Sequence, residues 1–457
     1  MALRNIVSGR LGMTIDRAIP DRADKWPDLL NHDLVRLPAG DGAPSEKGIP
    51  PVSSAPRTPT PLRAVVPSRL RCLVATGSPA LTGVEREAAL LARRLPLHGL
   101  DTTVAFTLPT PGMGERLAAS LHLEGVPVIE LSQHDGRQWV ETHRPDIISM
   151  HSPPDWLVAA AAELGIPTIE TLQAASTFFD KNTWPREWMR SQQITGFVAV
   201  SELVRRQYLR ANPSYPRDRI TTIPNGVDDQ HVALRDRAQV RAWLGIRGEF
   251  LFVSLARYSL QKNTFGLLTA FSGVVSAYPE AHLLVAGPVT EPSYFEQVRR
   301  LRDRLPCAGH IHLHGPCPDV PAVLAAADAF VLDSFWEGWC LASMEALCAG
   351  LPVVLSEVAG AHEQVGENGY RGFVVANPLG DPEIMDWHRV TRARFSSQVN
   401  RAALVEAMCA VIKDRGHWRA ARRGELAAEA QAQFSADVCV QRHAEVLTRA
   451  AAERRVT

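Results

Sequence analysis

The chain has 457 residues, room for two or three domains at roughly 150 residues each. Its composition, 46% hydrophobic and 21% charged, is that of a soluble globular protein. Lys+Arg and Asp+Glu are both 49, and the resulting zero net charge argues against a nucleic-acid binder, which needs a basic excess. Only five of the cations are Lys, at 25, 47, 181, 262 and 413.

Met1 to Leu11 carries Arg4 and Arg10 without the apolar core of a signal peptide. No stretch approaches the roughly 18 apolar residues of a membrane span. Seven Cys, at 72, 307, 317, 340, 348, 409 and 439, form no C-x-x-C pair, so neither a disulfide framework nor a zinc ribbon is indicated. A cytoplasmic protein with reduced thiols is expected. From Pro38 to Pro67 there are eight prolines among Gly, Ser and Thr. Such a tract buries too little apolar surface to fold, so residues 1–69 read as an extension with a Pro-rich linker.

From Arg71 onward, apolar runs alternate with amphipathic helical patterns. The runs are Cys72–Thr76, Thr103–Thr107, Val126–Leu131, Asp146–Met150, Pro167–Thr171, Gly196–Val200 and Ile220–Ile223. Helices are expected at Val84–Leu95, Trp156–Leu164 and Glu202–Ala211. After the turn signal Pro224-Asn225-Gly226 a second series begins: Phe250–Leu255, His282–Ala286, His310–His314, Ala329–Leu332, Pro352–Leu355 and Gly372–Val375. Its helices include Thr264–Ala277, Tyr294–Leu305, Val320–Ala327 and Met344–Cys348. Alternation of this kind predicts an α/β protein with two Rossmann-like, doubly wound domains facing across a cleft, residues 70–226 and 227–438. A C-terminal helix, 439–457, is expected to pack back on the first. Ligands of such sheets bind outside the carboxyl ends of the strands.

Arg257 follows the strand Phe250–Leu255, and Lys262 comes five residues later, opening the next helix. Two cations at a helix N-terminus suit a diphosphate; two solvated charges are the plain alternative. Beyond Ala329–Leu332 comes Ser334-Phe335-Trp336-Glu337-Gly338-Trp339-Cys340-Leu341-Ala342-Ser343-Met344-Glu345. Glu337 and Glu345 are eight apart, about two helical turns, and can project to one side to accept hydrogen bonds from vicinal hydroxyls. Gly338 permits close backbone approach.

The ordered set resembles the retaining nucleotide-sugar-dependent glycosyltransferases of family 4 (glycosyl transferases group 1), which have the GT-B fold. The resemblance covers about residues 70–440. It adds Thr82-Gly83-Val84-Glu85-Arg86, Asp146-Ile147-Ile148-Ser149-Met150-His151, Val200-Ser201-Glu202, Ile223-Pro224-Asn225-Gly226-Val227-Asp228, Ala286-Gly287 and Gly360-Ala361-His362-Glu363 to the residues above. It implies that Arg257 and Lys262 hold the diphosphate, Glu345 the ribose hydroxyls and Glu337 the transferred sugar. Backbone at Gly338, Trp339, Cys340 and Leu341 would approach sugar and phosphate. His151 would face the donor sugar, and Gly83 would offer backbone N–H groups to the phosphates. Thr82 and Cys340 stand where the family has Gly.

The implied function is transfer, with retention, of a sugar from a UDP- or GDP-sugar to a hydroxyl-bearing acceptor. No D-x-D motif is present, no metal is expected and no cofactor beyond the nucleotide-sugar co-substrate. A nucleotide-sugar epimerase or hydrolase, or a catalytically silent sugar-nucleotide scaffold, are the rival readings. His310, His312 and His314 alternate on one strand face, with no carboxylate in sequence to complete a metal site. Arg205, Arg206, Arg210, Arg217 and Arg219 form a basic group, open to reading as a solvated face or as a weak peripheral contact with the inner face of a membrane. Asp381–Gln398 reads as an insertion. Oligomeric state has no signal.

Overall fold

The computed structural model describes residues 69–77, 83–108, 115–174, 183–227, 237–384, 386–418 and 420–454. The Pro-rich extension (Arg69 excepted), Thr82 and Asp228 lie outside the described residues.

Apolar runs make the sheets. Cys72 to Ala75 and Phe250 to Val253 are at most 6% exposed, as strands covered on both faces must be. The first sheet contains β1 (Leu70–Thr76), β2 (Leu100–Phe106), β3 (Val128–Glu130), β4 (Ile147–His151), β5 (Thr168–Leu172), β6 (Gly196–Ala199) and β7 (Ile220–Thr222). The second contains β8 (Phe250–Leu255), β9 (Ala281–Ala286), β10 (Ile311–His314), β11 (Ala329–Leu332), β12 (Val353–Ser356) and β13 (Gly372–Val375). Their orders are β3-β2-β1-β4-β5-β6-β7 and β10-β9-β8-β11-β12-β13. Neighbouring strands are parallel throughout. In each sheet the winding reverses between two adjacent strands, β1 and β4 in one, β8 and β11 in the other. That reversal opens a crevice at their carboxyl ends.

Six helices position the site: α1 (Gly83–Arg94), α2 (Glu202–Ala211), α3 (Thr264–Ala277), α4 (Leu341–Cys348), α5 (Ala420–Phe434) and α6 (Ala436–Arg454). The chain passes between the sheets twice, and the two crossings run side by side. Val227 N–H donates to Phe434 O at 2.9 Å, and Ala436 N–H donates to Val227 O at 3.0 Å. A Cβ on Gly226 would stand 2.7 Å from Ala436 Cα, so only glycine lets the crossings lie this close. The return crossing is complete at Ser435, ahead of the 439 boundary expected from sequence. α6 then packs on α1, with Arg94 paired to Asp437 at 2.5 Å.

Several helices carry too few apolar residues for the pattern to announce them. Gln133–His143 is one: its buried residues are Gly136 and Val140, and its start is fixed by the Ser132 side chain accepting from Asp135 N. The segment read as an insertion contains the helix Trp387–Ala393, capped by Asp386.

Candidate active site

The candidate residues come from loops at the four switch-point strands. β8 ends at Leu255, and the chain turns through a single 3-10 turn, Leu260–Lys262, before α3. Lys262 therefore lies in that turn rather than in the helix. Asn263 caps α3 in the left-handed region at φ 48°, without a side-chain bond to the helix. Its amide instead holds the turn against the neighbouring strand's end: Nδ2 donates to Asp333 Oδ2 at 2.8 Å and to Gln398 Oε1 at 2.9 Å. Asn400 Nδ2 donates to Asp333 Oδ1 at 2.7 Å. Burial pushes the Asp333 carboxyl up to about 8, against the pull of those two amides.

The loop after β11 is stitched to the same turn. Phe335 N–H donates to Gln261 O at 2.9 Å, and Gln261 Nε2 to Trp336 O at 3.0 Å. This brings Lys262 Nζ to 2.5 Å from Glu337 Oε1, which also accepts from Ser334 Oγ at 2.7 Å. Burial opposes the charge on Lys262, but the adjacent Glu337 carboxylate outweighs it and raises the ammonium above its usual value. Burial likewise raises the Cys340 thiol. Arg257 is exposed, its guanidinium donating to Gln261 Oε1 at 3.2 Å. An exposed cation and a half-buried, paired one thus flank one loop.

α4 begins at Leu341, so Glu337 precedes it, and the two-turn helical spacing to Glu345 does not apply. Glu345 is half-buried inside α4. Cys340, the N-cap, makes no side-chain cap bond to the first N–H groups of α4, and a helix start of that kind accepts anions. The Trp339 ring is buried: its Nε1–H points to Met344 Sδ at 3.0 Å, and it meets Phe434 edge to face at 5.5 Å. Trp339 thus packs its side chain in the core.

The first sheet closes on this loop. A Cβ on Gly338 would fall 1.8 Å from Gln173 O, beyond the end of β5. Gly83, at the start of α1, faces Leu341, whose Cδ1 would stand 3.5 Å from a Cβ there. Glu363 Oε1 accepts from Glu202 N–H at 2.7 Å, placing a carboxylate on the N-terminus of α2. Arg206 and Arg210 both pair with Glu383 at 3.2 Å, and Gln207 Nε2 donates to Pro382 O at 2.8 Å. The basic helix thus contacts the segment read as an insertion.

His151 ends β4 with its imidazole fully buried, Nε2 at 3.3 Å from Ser149 Oγ. Burial lowers its pKa to about 4, so the ring is neutral at neutral pH. Its hydrogen bond is within its own strand, and none joins it to Lys262 or Glu337. Elsewhere, His282 joins the strand histidines: its Nδ1 lies 3.1 Å from His312 Nε2, while His314 packs on Trp243.

Sequence reasoning passes over Asp333, Asn263 and Gln261, and gives Ser334 no role. Asp333 and Ser334 immediately follow β11, and that position at the switch point was the available signal. The side-chain amides of Asn263 and Gln261 carry none.

Residues 81–231 match the family model Glycosyltransferase Family 4, and residues 236–385 match Glycosyl transferases group 1. Over 166 residues the chain is 30% identical to UDP-Gal:alpha-D-GlcNAc-diphosphoundecaprenol alpha-1,3-galactosyltransferase of Escherichia coli, covering 34% of this chain and 41% of that one. It is 23% identical over 319 residues to spore coat protein SA of Bacillus subtilis, covering 64% and 79% respectively. The chain thus spans about two fifths of the first relative's length. Among solved structures, a glycosyltransferase from Rickettsia africae superposes with TM-score 0.68 at 17% identity, over 84% of this chain and 98% of that one. Anabaena HepE in complex with UDP and glucose superposes with TM-score 0.66 at 18% identity, over 83% and 100%. The two family models, matched in order across the two sheets, place the chain among the family-4 glycosyltransferases of the GT-B fold.

Proposed function

We propose that the chain transfers a sugar, with retention of anomeric configuration, from a nucleoside diphosphate sugar to a hydroxyl-bearing acceptor. The observation that carries this is the Lys262–Glu337 pair beside exposed Arg257 and the uncapped start of α4. Arg257 reaches the diphosphate from solvent. Lys262, aligned by Glu337 and Ser334, stabilises the charge that develops on the leaving oxygen. Glu337 accepts hydroxyls of the transferred sugar, and Glu345 those of the ribose. The bond from the anomeric carbon to the phosphate oxygen breaks, and the acceptor oxygen bonds to that carbon from the same face. The acceptor proton passes to the departing phosphate. The cations supply the positive charge for this step, without a metal in the proposed scheme. Backbone N–H groups near Gly83 and at Gly338 to Leu341 close on the donor, and His151 supports the sugar side as a neutral imidazole.

The donor is a UDP- or GDP-sugar. UDP-sugars are tested first, because the Escherichia coli relative's name specifies UDP-Gal and the Anabaena structure holds UDP. Free thiols at all seven Cys suit a reducing, cytoplasmic setting. No described helix is long and apolar enough to cross a membrane, and a weak peripheral contact through the remaining basic surface is part of the proposal. Incubation with UDP- and GDP-sugars and hydroxyl acceptors should yield a new glycoside and free nucleotide. An isomerised donor without acceptor would establish the epimerase instead, and binding without turnover the scaffold. Near-wild-type kinetics in both Lys262→Ala and Glu345→Ala would refute the site assignment.

A further inference from the structure

Beneath the helices that cover the first sheet lies a second group of chemistry-bearing side chains. Cys439 and His443 are one turn apart on α6 and share a face of it. Glu87 reaches them from α1, and the Cys439 thiol donates to its Oε1 at 3.1 Å. One ligand atom from each of the three lies within 4.8 Å of the other two, and all three residues are buried. His443 Nε2 is buried without a hydrogen-bond partner.

The strand ends below are unsatisfied in the same way. Thr76 Oγ1, His151 Nδ1 and Thr171 Oγ1 are buried and lack partners. Thr76 is in register with His151, and His151 with Thr171, so the three side chains share one face of the sheet. α6 packs against β4 and β5. Buried orphan polar atoms are rare in folded proteins, and such a group calls for an ion or bound water.

We propose that Glu87, Cys439 and His443 bind one divalent transition-metal ion of the zinc class, which fastens α6 to α1 and leaves its fourth position to water. Carboxylate, thiolate and imidazole are the donors such an ion takes, and its bonds of about 2.0–2.3 Å set ligand atoms about 3–4 Å apart. From separations within 4.8 Å, the ligand atoms must close by about 1 Å to reach that spacing. Burial keeps the His443 imidazole neutral and, by the same cause, favours the protonated forms of Glu87 and Cys439, whose protons the ion must displace. As the metal–sulfur bond forms, the Cys439 proton leaves to solvent. The ion sits behind the crossing at Gly226, beside His151, and its role is to fix the return of the chain to the first sheet. It does not rest on the glycosyl-transfer reading.

The test uses the full chain produced in minimal medium with zinc or with cobalt. After gel filtration, plasma mass spectrometry should find about one ion per chain. The cobalt protein should show a thiolate-to-cobalt charge-transfer band in the near ultraviolet, absent in Cys439→Ser. Removing the ion with a strong chelator should lower the wild-type thermal midpoint, and His443→Gln should bind cobalt with only two protein ligands and at least about tenfold more weakly. A wild-type protein with neither stoichiometric metal nor the band overturns the proposal, and so does a band that persists in Cys439→Ser. The wild-type spectrum needs no substitution, so it decides the matter even where a variant fails to fold.

Discussion

The Lys262–Glu337 pair allows stability and function to be separated by substitution. The two charged atoms are 2.5 Å apart, and the side chains are 13% and 7% exposed. At an effective dielectric of about 20 the attraction at this distance is about 6–7 kcal/mol. Withdrawing the two ions from water costs several kcal/mol each, so the net worth of the intact pair is small. Removing one partner is different, because it strands the other charge. Lys262→Met and Glu337→Gln should each lose about 3–5 kcal/mol of stability. The double variant should lose much less than their sum, with a coupling of about 2–3 kcal/mol. Urea unfolding of the wild type, both single variants and the double variant gives that coupling directly.

Turnover should follow a different pattern. Lys262→Met removes the fixed cation at the leaving group, and kcat should fall about 10²–10³-fold. The double variant should stay equally slow despite its regained stability, since no cation has been restored. Nucleotide release measured with saturating donor and acceptor reports this. Stability costs that add to within about 0.5 kcal/mol would show the charges to be uncoupled. A double variant whose turnover recovers along with its stability would refute the catalytic role of Lys262, which would then be structural alone.

Three further outcomes follow from the same geometry. Gly338→Ala places a methyl 1.8 Å from Gln173 O, so the loop must retreat from the first sheet. A displacement of about 1 Å at a reacting centre costs about 10²-fold in rate, so kcat/KM should drop far more than the thermal midpoint; unchanged kcat/KM would mean that this contact is not used in the reaction. The Asp333 carboxyl is raised from 3.8 to about 8 in the fold, so its contribution is fully present below pH 4 and is lost as pH rises towards 8. Asp333→Asn should flatten that decline, by a few kcal/mol at most on the scale of about 1.4 kcal/mol per pH unit, and identical stability–pH slopes in the two proteins would contradict it. Glu363→Ala removes the acceptor of the Glu202 N–H, a charged hydrogen bond worth about 1.5–3 kcal/mol; the Glu202 amide should exchange faster in deuterium, and unaltered protection would show that the bond does not hold in solution.

The sheets were legible because parallel strands buried on both faces must be continuous apolar runs, and Cys72 to Ala75 or Phe250 to Val253 admit few other readings. Helices were legible only where one face is apolar. Gln133–His143 is held by an N-cap and two buried positions, too little for a periodic pattern. At the site, the charged residues announced themselves by type and by position after a strand. Their supports did not. Lys262 is aimed by a turn fixed through Asn263, Asp333, Gln398 and Asn400, residues up to 137 positions apart along the chain that meet only after folding.

The same limit explains how two short motifs became one device. Val200-Ser201-Glu202 forms a capped helix start, and Gly360-Ala361-His362-Glu363 leads into another short helix. Each is complete as local structure, and Ser201 does cap α2 by accepting from Val204 N. Yet the Glu202 N–H is left over at that N-terminus, and the Glu363 carboxylate, 161 residues away, takes it. The contact joins the two sheets at the same edge where Arg206 and Arg210 meet Glu383. A helix dipole favours an anion there whether it comes from a ligand or from the protein. In this structure the protein supplies it, so the first turn of α2 is committed to holding the sheets together. α4 starts differently: Cys340 provides no side-chain cap there, and Glu337, paired to Lys262, stands on the loop that leads into it.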